Sequence, residues 1–123
     1  MTHVMNTAGA DEVGGIIAAF ERQLGDRRQP LAIIARFRVR TGAGARLAAA
    51  FGEASAQTAR EAGVLTYQLH RETDNADAFV VYERWRSLDD LEAHLRTPYI
   101  SALRAEIDAV MVGEPSFNIV IPT

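Results

Sequence analysis

An α+β domain in the order β-α-β-β-α-β is the fold class this sequence predicts. Four segments carry strand character: Leu31 to Val39, Val64 to Glu72, Ala78 to Arg86 and Ser116 to Ile121. Helical periodicity separates the first from the second and the third from the fourth, while only turn residues separate the second from the third. The chain has 123 residues, 48% hydrophobic and 24% charged, which suits one soluble domain with one core.

Before the first strand, Val13, Ile17, Phe20 and Leu24 fall on one stripe of a helix that must cover either its own sheet or a partner subunit. Residues 1–30 therefore form an N-terminal extension with one amphipathic helix, and residues 31–123 form the main domain. In the first strand Leu31, Ile33, Ala35, Phe37 and Val39 alternate with Arg36, Arg38 and Arg40, the period of a strand with one buried face. Residues 43–62 are rich in alanine, with Leu47, Phe51, Ala54 and Thr58 on one helical face and Gly63 placed as a C-cap. Asp74, Asn75 and Asp77 suit a hairpin turn that pairs strands two and three antiparallel. Ser87 and Asp90 form a variant capping box ahead of Leu88, Leu91 and Leu95. Thr97-Pro98 ends that helix and opens another, along which Ile100, Leu103, Ile107 and Val110 recur until Gly113 closes it. Phe117, Ile119 and Ile121 then alternate in the last strand. The order is the ferredoxin-like split arrangement with an antiparallel sheet.

Two helical regions cover only one face of such a sheet. In the more apolar register the other face carries Ala32, Ile34, Arg36, Arg38, Thr66, Gln68, His70, Val80, Tyr82, Arg84 and Val120. Ile34, Val80, Tyr82 and Val120 are too apolar for solvent, and the arginines are unsuited to a dry core. A homodimer packed sheet to sheet reconciles the two; the alternative is that the N-terminal helix covers this face.

Composition excludes several chemistries. There is no cysteine, and all 13 Lys+Arg residues are arginine. Disulfides, thiol nucleophiles, Cys-based zinc sites, lysine Schiff bases and phosphate-loop lysines are absent with them. A net charge of -3 argues against nucleic-acid binding. No apolar run is long enough for a membrane span, and the N-terminal stretch lacks the basic start of a signal peptide, so a cytoplasmic protein is expected. Gly42-Ala43-Gly44 opens a helix after a strand, but Leu47 stands where a dinucleotide loop needs a small residue. Phe79-Val80-Val81-Tyr82 overlaps the end of an RNA-recognition signature whose basic first half is missing. There is no Gly-x-Ser-x-Gly elbow. His3 lies in a tail expected to be disordered, and His70 and His94 have no neighbour at metal-ligand spacing. No metal is expected.

One group remains: Trp85 at the end of strand three, facing the helices, with His94, Tyr99 and Arg104 in the following helices. It has two readings. Either it lines an apolar pocket with few polar groups, the usual character of a small-molecule site, or Trp85 and Tyr99 are core aromatics and His94 bonds locally, for instance to Asp90.

The stretches Gly63-Val64-Leu65-Thr66-Tyr67-Gln68-Leu69-His70-Arg71, Tyr82-Glu83-Arg84-Trp85 and Leu91-Glu92-Ala93-His94-Leu95-Arg96-Thr97-Pro98-Tyr99 together resemble the antibiotic biosynthesis monooxygenase domain family, especially its quinol monooxygenase-like members. The resemblance spans residues 31–121. It implies dimeric α+β barrels that oxygenate phenols or quinols with dioxygen and need no metal, flavin or other cofactor, because a deprotonated dihydroxy aromatic itself reduces oxygen. It implies Trp85 as the wall of the ring site, His94 or a pocket water as proton acceptor, and Arg104 as the group that stabilises phenolate or superoxide. Phe37, Tyr67, Leu91 and Tyr99 are the matching substrate-binding candidates. Haem-degrading members use an asparagine in strand one and a histidine in the last helix; residues 31–40 hold no Asn, and Arg104 stands where that histidine falls, so haem degradation is disfavoured. The Thr-Pro-His of the quinol-type motif is here Thr97-Pro98-Tyr99. The contrasting class is a non-catalytic dimeric ligand-binding or scaffold domain.

Overall fold

A computed structural model of the chain describes residues 11–123. His3 lies outside the described residues. Eight elements follow one another: α1 (Glu12–Leu24), β1 (Leu31–Val39), α2 (Gly44–Thr58), β2 (Val64–Glu72), β3 (Asn75–Trp85), α3 (Leu88–Leu95), α4 (Pro98–Val110) and β4 (Met111–Val120). The strands form one antiparallel sheet in the order β2-β3-β1-β4, so the expected ferredoxin-like class is the observed one. The hairpin joins β2 to β3 as expected, but its turn is Thr73 and Asp74, and Asn75 and Asp77 already belong to β3, which starts before the expected Ala78.

Alternation along β1 and β3 decides which residues meet the helices. Leu31, Ile33, Ala35, Phe37 and Val39 are buried beneath them, whereas Arg36 and Arg38 are exposed on the far side. Across the sheet Ile34 pairs with Tyr82, Arg36 with Val80, Ala32 with both Arg84 and Val120, and Gln68 with Tyr82. The open face therefore has the predicted register.

The α1 stripe covers its own sheet. Val13 and Ile17 are buried against Leu31, Ile33, Trp85, Leu88 and Leu91, with Phe20 and Leu24 packed alongside. Asp11 caps the helix by accepting from the Gly14 N–H at 2.9 Å, and Arg27 fixes the following loop by donating to Asp89 and Glu92 at 2.6 Å each. Ser87 accepts from the Asp90 N–H, so the predicted cap forms, and Thr97 likewise caps the helix that Pro98 opens by accepting from the Ile100 N–H.

Two glycines play other parts than the sequence suggested. Gly63 is no C-cap, because α2 stops at Thr58 with Ala59 still in right-handed geometry. It is buried, and a Cβ there would lie 2.1 Å from the Asp90 side chain; the position is glycine because α3 packs onto it. Gly113 does not close the last helix either. It lies inside β4 with φ of 73°, and this left-handed residue lets the strand start at Met111, well before Ser116, across a register shift between Arg36 and Arg38. No helix among the described residues is long and apolar enough to cross a membrane.

Candidate active site

Three strands and two helices converge on Trp85. It ends β3, faces the helices and has 0% of its surface exposed. Tyr67 reaches it from β2 with ring centroids 6.5 Å apart, edge to face. His94 projects from α3 and is 1% exposed, its ring 4.5 Å from Trp85 and 4.9 Å from Tyr67. Phe51 of α2 stacks on the other side of Tyr67 at 4.8 Å. Leu91, one helical turn before His94, packs in the same cluster.

The polar partners of this aromatic group are carboxylates. His94 Nδ1 lies 3.0 Å from Glu61 Oε2, and the same oxygen accepts from the Tyr99 hydroxyl. Glu61 follows the end of α2. It corrects the local alternative for His94, since Asp90 is engaged by Arg86 at 2.8 Å and by the Ser87 hydroxyl at 2.7 Å and makes no bond to the imidazole. The second carboxylate is Glu83, two residues before Trp85 on the same face of β3 and flanked across the sheet by Ile33 and Tyr67. Its Oε1 accepts from the indole N–H at 2.9 Å.

Burial sets the charges. It lowers the His94 pKa, against the opposing pull of Glu61, which leaves the imidazole neutral at pH 7. With Nδ1–H donated to the Glu61 carboxylate, Nε2 holds the free lone pair. Burial likewise pushes the Glu83 carboxyl up to about 7, reinforced by the nearby charge of Glu61 and opposed by the indole hydrogen bond. Tyr67 is raised well out of range and stays a phenol. Tyr99 is also raised, by burial first and then by its bond to Glu61.

Of the residues the sequence singled out, Trp85, His94, Tyr67, Tyr99 and Leu91 come together. Phe37 stacks on Phe79 at 6.0 Å instead, farther along the sheet in a cluster that also takes in Phe51, Tyr67 and Tyr99. Arg104 of α4 pairs with Glu12 of α1 at 3.5 Å, both partly buried. Glu61 and Glu83 were missed. A carboxylate at an inward position of an otherwise apolar strand was a readable sign for Glu83, whereas only tertiary folding brings Glu61 to His94. The rings pack against one another, so an aromatic ligand reaches Trp85 only by displacing side chains. A shallow depression lies on the other side of the sheet, among Ala32, Leu65, Tyr82, Arg84 and Val120. Among the described residues, no three His, Asp or Glu side chains are grouped to hold a metal ion.

Residues 30–106, more than half of the chain, match the family described as antibiotic biosynthesis monooxygenase. The chain belongs to that family. Over 93 residues it is 29% identical to Rv0793 of Mycobacterium tuberculosis, whose name proposes a monooxygenase, covering 76% of this chain and 91% of the relative. The solved structure of a family member from Caulobacter crescentus superposes with a TM-score of 0.75 at 25% identity, over 84% of this chain and 98% of the other. SnoaB of Streptomyces nogalater, described as a cofactor-independent oxygenase, shares the fold with a TM-score of 0.66 at 22% identity, over 76% and 93%. The matched segment holds every residue of the aromatic and carboxylate group and leaves α1 outside it.

Proposed function

We propose that this member of the antibiotic biosynthesis monooxygenase family is a cofactor-independent monooxygenase that oxidises a quinol or polycyclic phenol with dioxygen, as a cytoplasmic homodimer joined through the open sheet face. The observation that carries the reading is the neutral imidazole of His94, held between Trp85 and Tyr67 and oriented by Glu61. A phenol whose ring lies against Trp85 offers its O–H to His94 Nε2. The proton moves to nitrogen, the imidazolium is stabilised by Glu61, and the phenolate has the electron density to reduce dioxygen. Arg104 on α4 supplies positive charge for the phenolate or the superoxide it generates. SnoaB, of the same fold, is described as an oxygenase that works without a cofactor, which supports placing the electron source in the substrate.

Oxygen uptake across a panel of quinols and polycyclic phenols, with a metal chelator present, tests the reading. Wild type is expected to consume oxygen, and His94→Ala and Trp85→Ala to reduce turnover by about 10²-fold or more. Unchanged turnover in folded variants rejects the assignment. The second reading, a dimeric ligand-binding or scaffold domain, is favoured by the complete burial of Trp85. It predicts no oxygen uptake with any member of the panel.

A further inference from the structure

Converting a ring C–H of a phenol into a quinone carbonyl has a fixed proton balance. Dioxygen gives one oxygen to the carbon and the other leaves as water. The O–H and the C–H of the substrate each lose a proton, the O–O bond breaks, and both protons end on the departing oxygen. The substrate gives up four electrons and dioxygen accepts four. Two protons must therefore be carried from the substrate to the departing oxygen. His94 accounts for one of them.

We propose that Glu83 is the second proton carrier: its carboxylate takes the ring proton and delivers it to the departing peroxide oxygen. This rests on the monooxygenase reading above. The two carriers flank the same indole, His94 over its ring and Glu83 at its N–H edge. They belong to different elements, α3 and β3, so a ligand that displaces side chains to reach Trp85 meets each from its own element. Glu83 sits at an inward position between Ile33 and Tyr67, where an ionic side chain serves no packing purpose and where a leucine or valine would stabilise the strand. Its neighbours that titrate are Glu61 beyond α2, Tyr67 on β2 and His94 on α3. Tyr67 stays protonated and His94 neutral, so at neutral pH Glu83 is the one poised between its acid and base forms. Indole Nε1 engages only Oε1, leaving the second oxygen to carry the proton.

The chain offers a direct probe, because Trp85 is its single tryptophan and donates to the group in question. Its fluorescence is expected to titrate with a midpoint near 7, to keep that midpoint in His94→Gln and to lose it in Glu83→Gln. Glutamine still accepts from the indole but holds no exchangeable proton, so Glu83→Gln is expected to melt like wild type or higher while kcat falls by about 10²-fold, KM stays nearly constant and the ionisation near 7 leaves the rate profile. Glu83→Asp should restore part of kcat. A Glu83→Gln protein that has lost the fluorescence titration yet turns over like wild type overturns the carrier role and leaves the monooxygenase reading standing. Persistence of the titration in Glu83→Gln assigns it to another group and also overturns the inference. If wild type consumes no oxygen with any phenol, both fall together, even with the titration present.

Discussion

Glu83 and Arg84 are neighbours on β3, and the pleat sends them to opposite sides of the sheet. Glu83 turns inward to the indole of Trp85, while Arg84 stands exposed beside Tyr82 and opposite Ala32. The inward side is largely buried and aromatic, and Glu61 and Glu83 are the carboxylates that meet its rings. The outward side carries Arg36, Arg38 and Arg84 among Ile34, Val80, Tyr82 and Val120, with no helix upon it among the described residues. A partly buried carboxylate beside the indole holds its proton to higher pH than a solvated one, which suits it to the acid–base role proposed for it. Exposed arginines keep their charge and interleave with apolar side chains, which suits an interface better than a reaction. In the proposed function one strand serves chemistry with its odd positions and assembly with its even ones.

The largest effects follow from breaking each side in turn. Trp85→Ala removes the largest fully buried side chain and is expected to cost about 3–5 kcal/mol, read as a lowered urea midpoint. Tyr82→Glu adds a charge to the open face without touching the core. In light scattering at micromolar concentration, wild type is expected as a dimer and Tyr82→Glu as a monomer that retains its secondary structure. A wild-type monomer under those conditions sinks the sheet-to-sheet dimer.

A smaller effect sharpens the inward side. The Glu83 carboxyl holds its proton up to about 7 in the fold, against 4.5 in an unfolded chain. Between those values the folded protein binds the extra proton, so stability falls as pH rises through the window. The contribution is fully present below 4.5 and gone above 7. Relative to Glu83→Gln, wild type should lose on the order of 2 kcal/mol between pH 5 and pH 8 in urea unfolding at fixed protein concentration. His94 works in the opposite sense, since a lowered imidazole pKa withdraws stability on acidification, and the comparison with Glu83→Gln cancels it. Equal slopes for the two proteins would place the carboxyl in water.

Much of this was legible from period alone. Alternation fixed which residues of β1 and β3 face the helices, and the observed register repeats the predicted faces residue for residue, from Ala32 and Val120 to His70 and Val80. The group around Trp85 was legible in part: Trp85, His94 and Tyr99 lie on neighbouring elements, and their meeting follows from the fold. Phe37 was drawn in by facing the same way, but distance along β1 stacks it on Phe79 instead. Glu61 had no local sign, because a loop carboxylate acquires a partner only when α2 and α3 pack. Gly113 misled for a similar reason: glycine after a helical stripe reads as a stop, whereas its left-handed geometry here serves a strand.

Gly63 and Gly52 separate two roles that a sequence writes with one letter, and Gly52 yields the smallest effect. A Cβ at Gly63 would fall 2.1 Å from Asp90 Cγ and 2.5 Å from its Oδ1. Asp90 has no free direction in which to move, since Arg86 and the Ser87 hydroxyl both hold it and Arg86 N–H donates to the Gly63 carbonyl at 2.9 Å. Gly63→Ala must therefore loosen the start of α3, the helix that carries His94, and is expected to cost about 1–3 kcal/mol. At Gly52, inside α2, nothing lies within 4 Å of the added methyl. Gly52→Ala should stabilise by about 0.5–1 kcal/mol through helix propensity. Thermal melts of the two variants should shift in opposite directions. If both rise, Gly63 is a loop glycine after all, and the packing of α3 against the entrance of β2 is looser than the geometry requires.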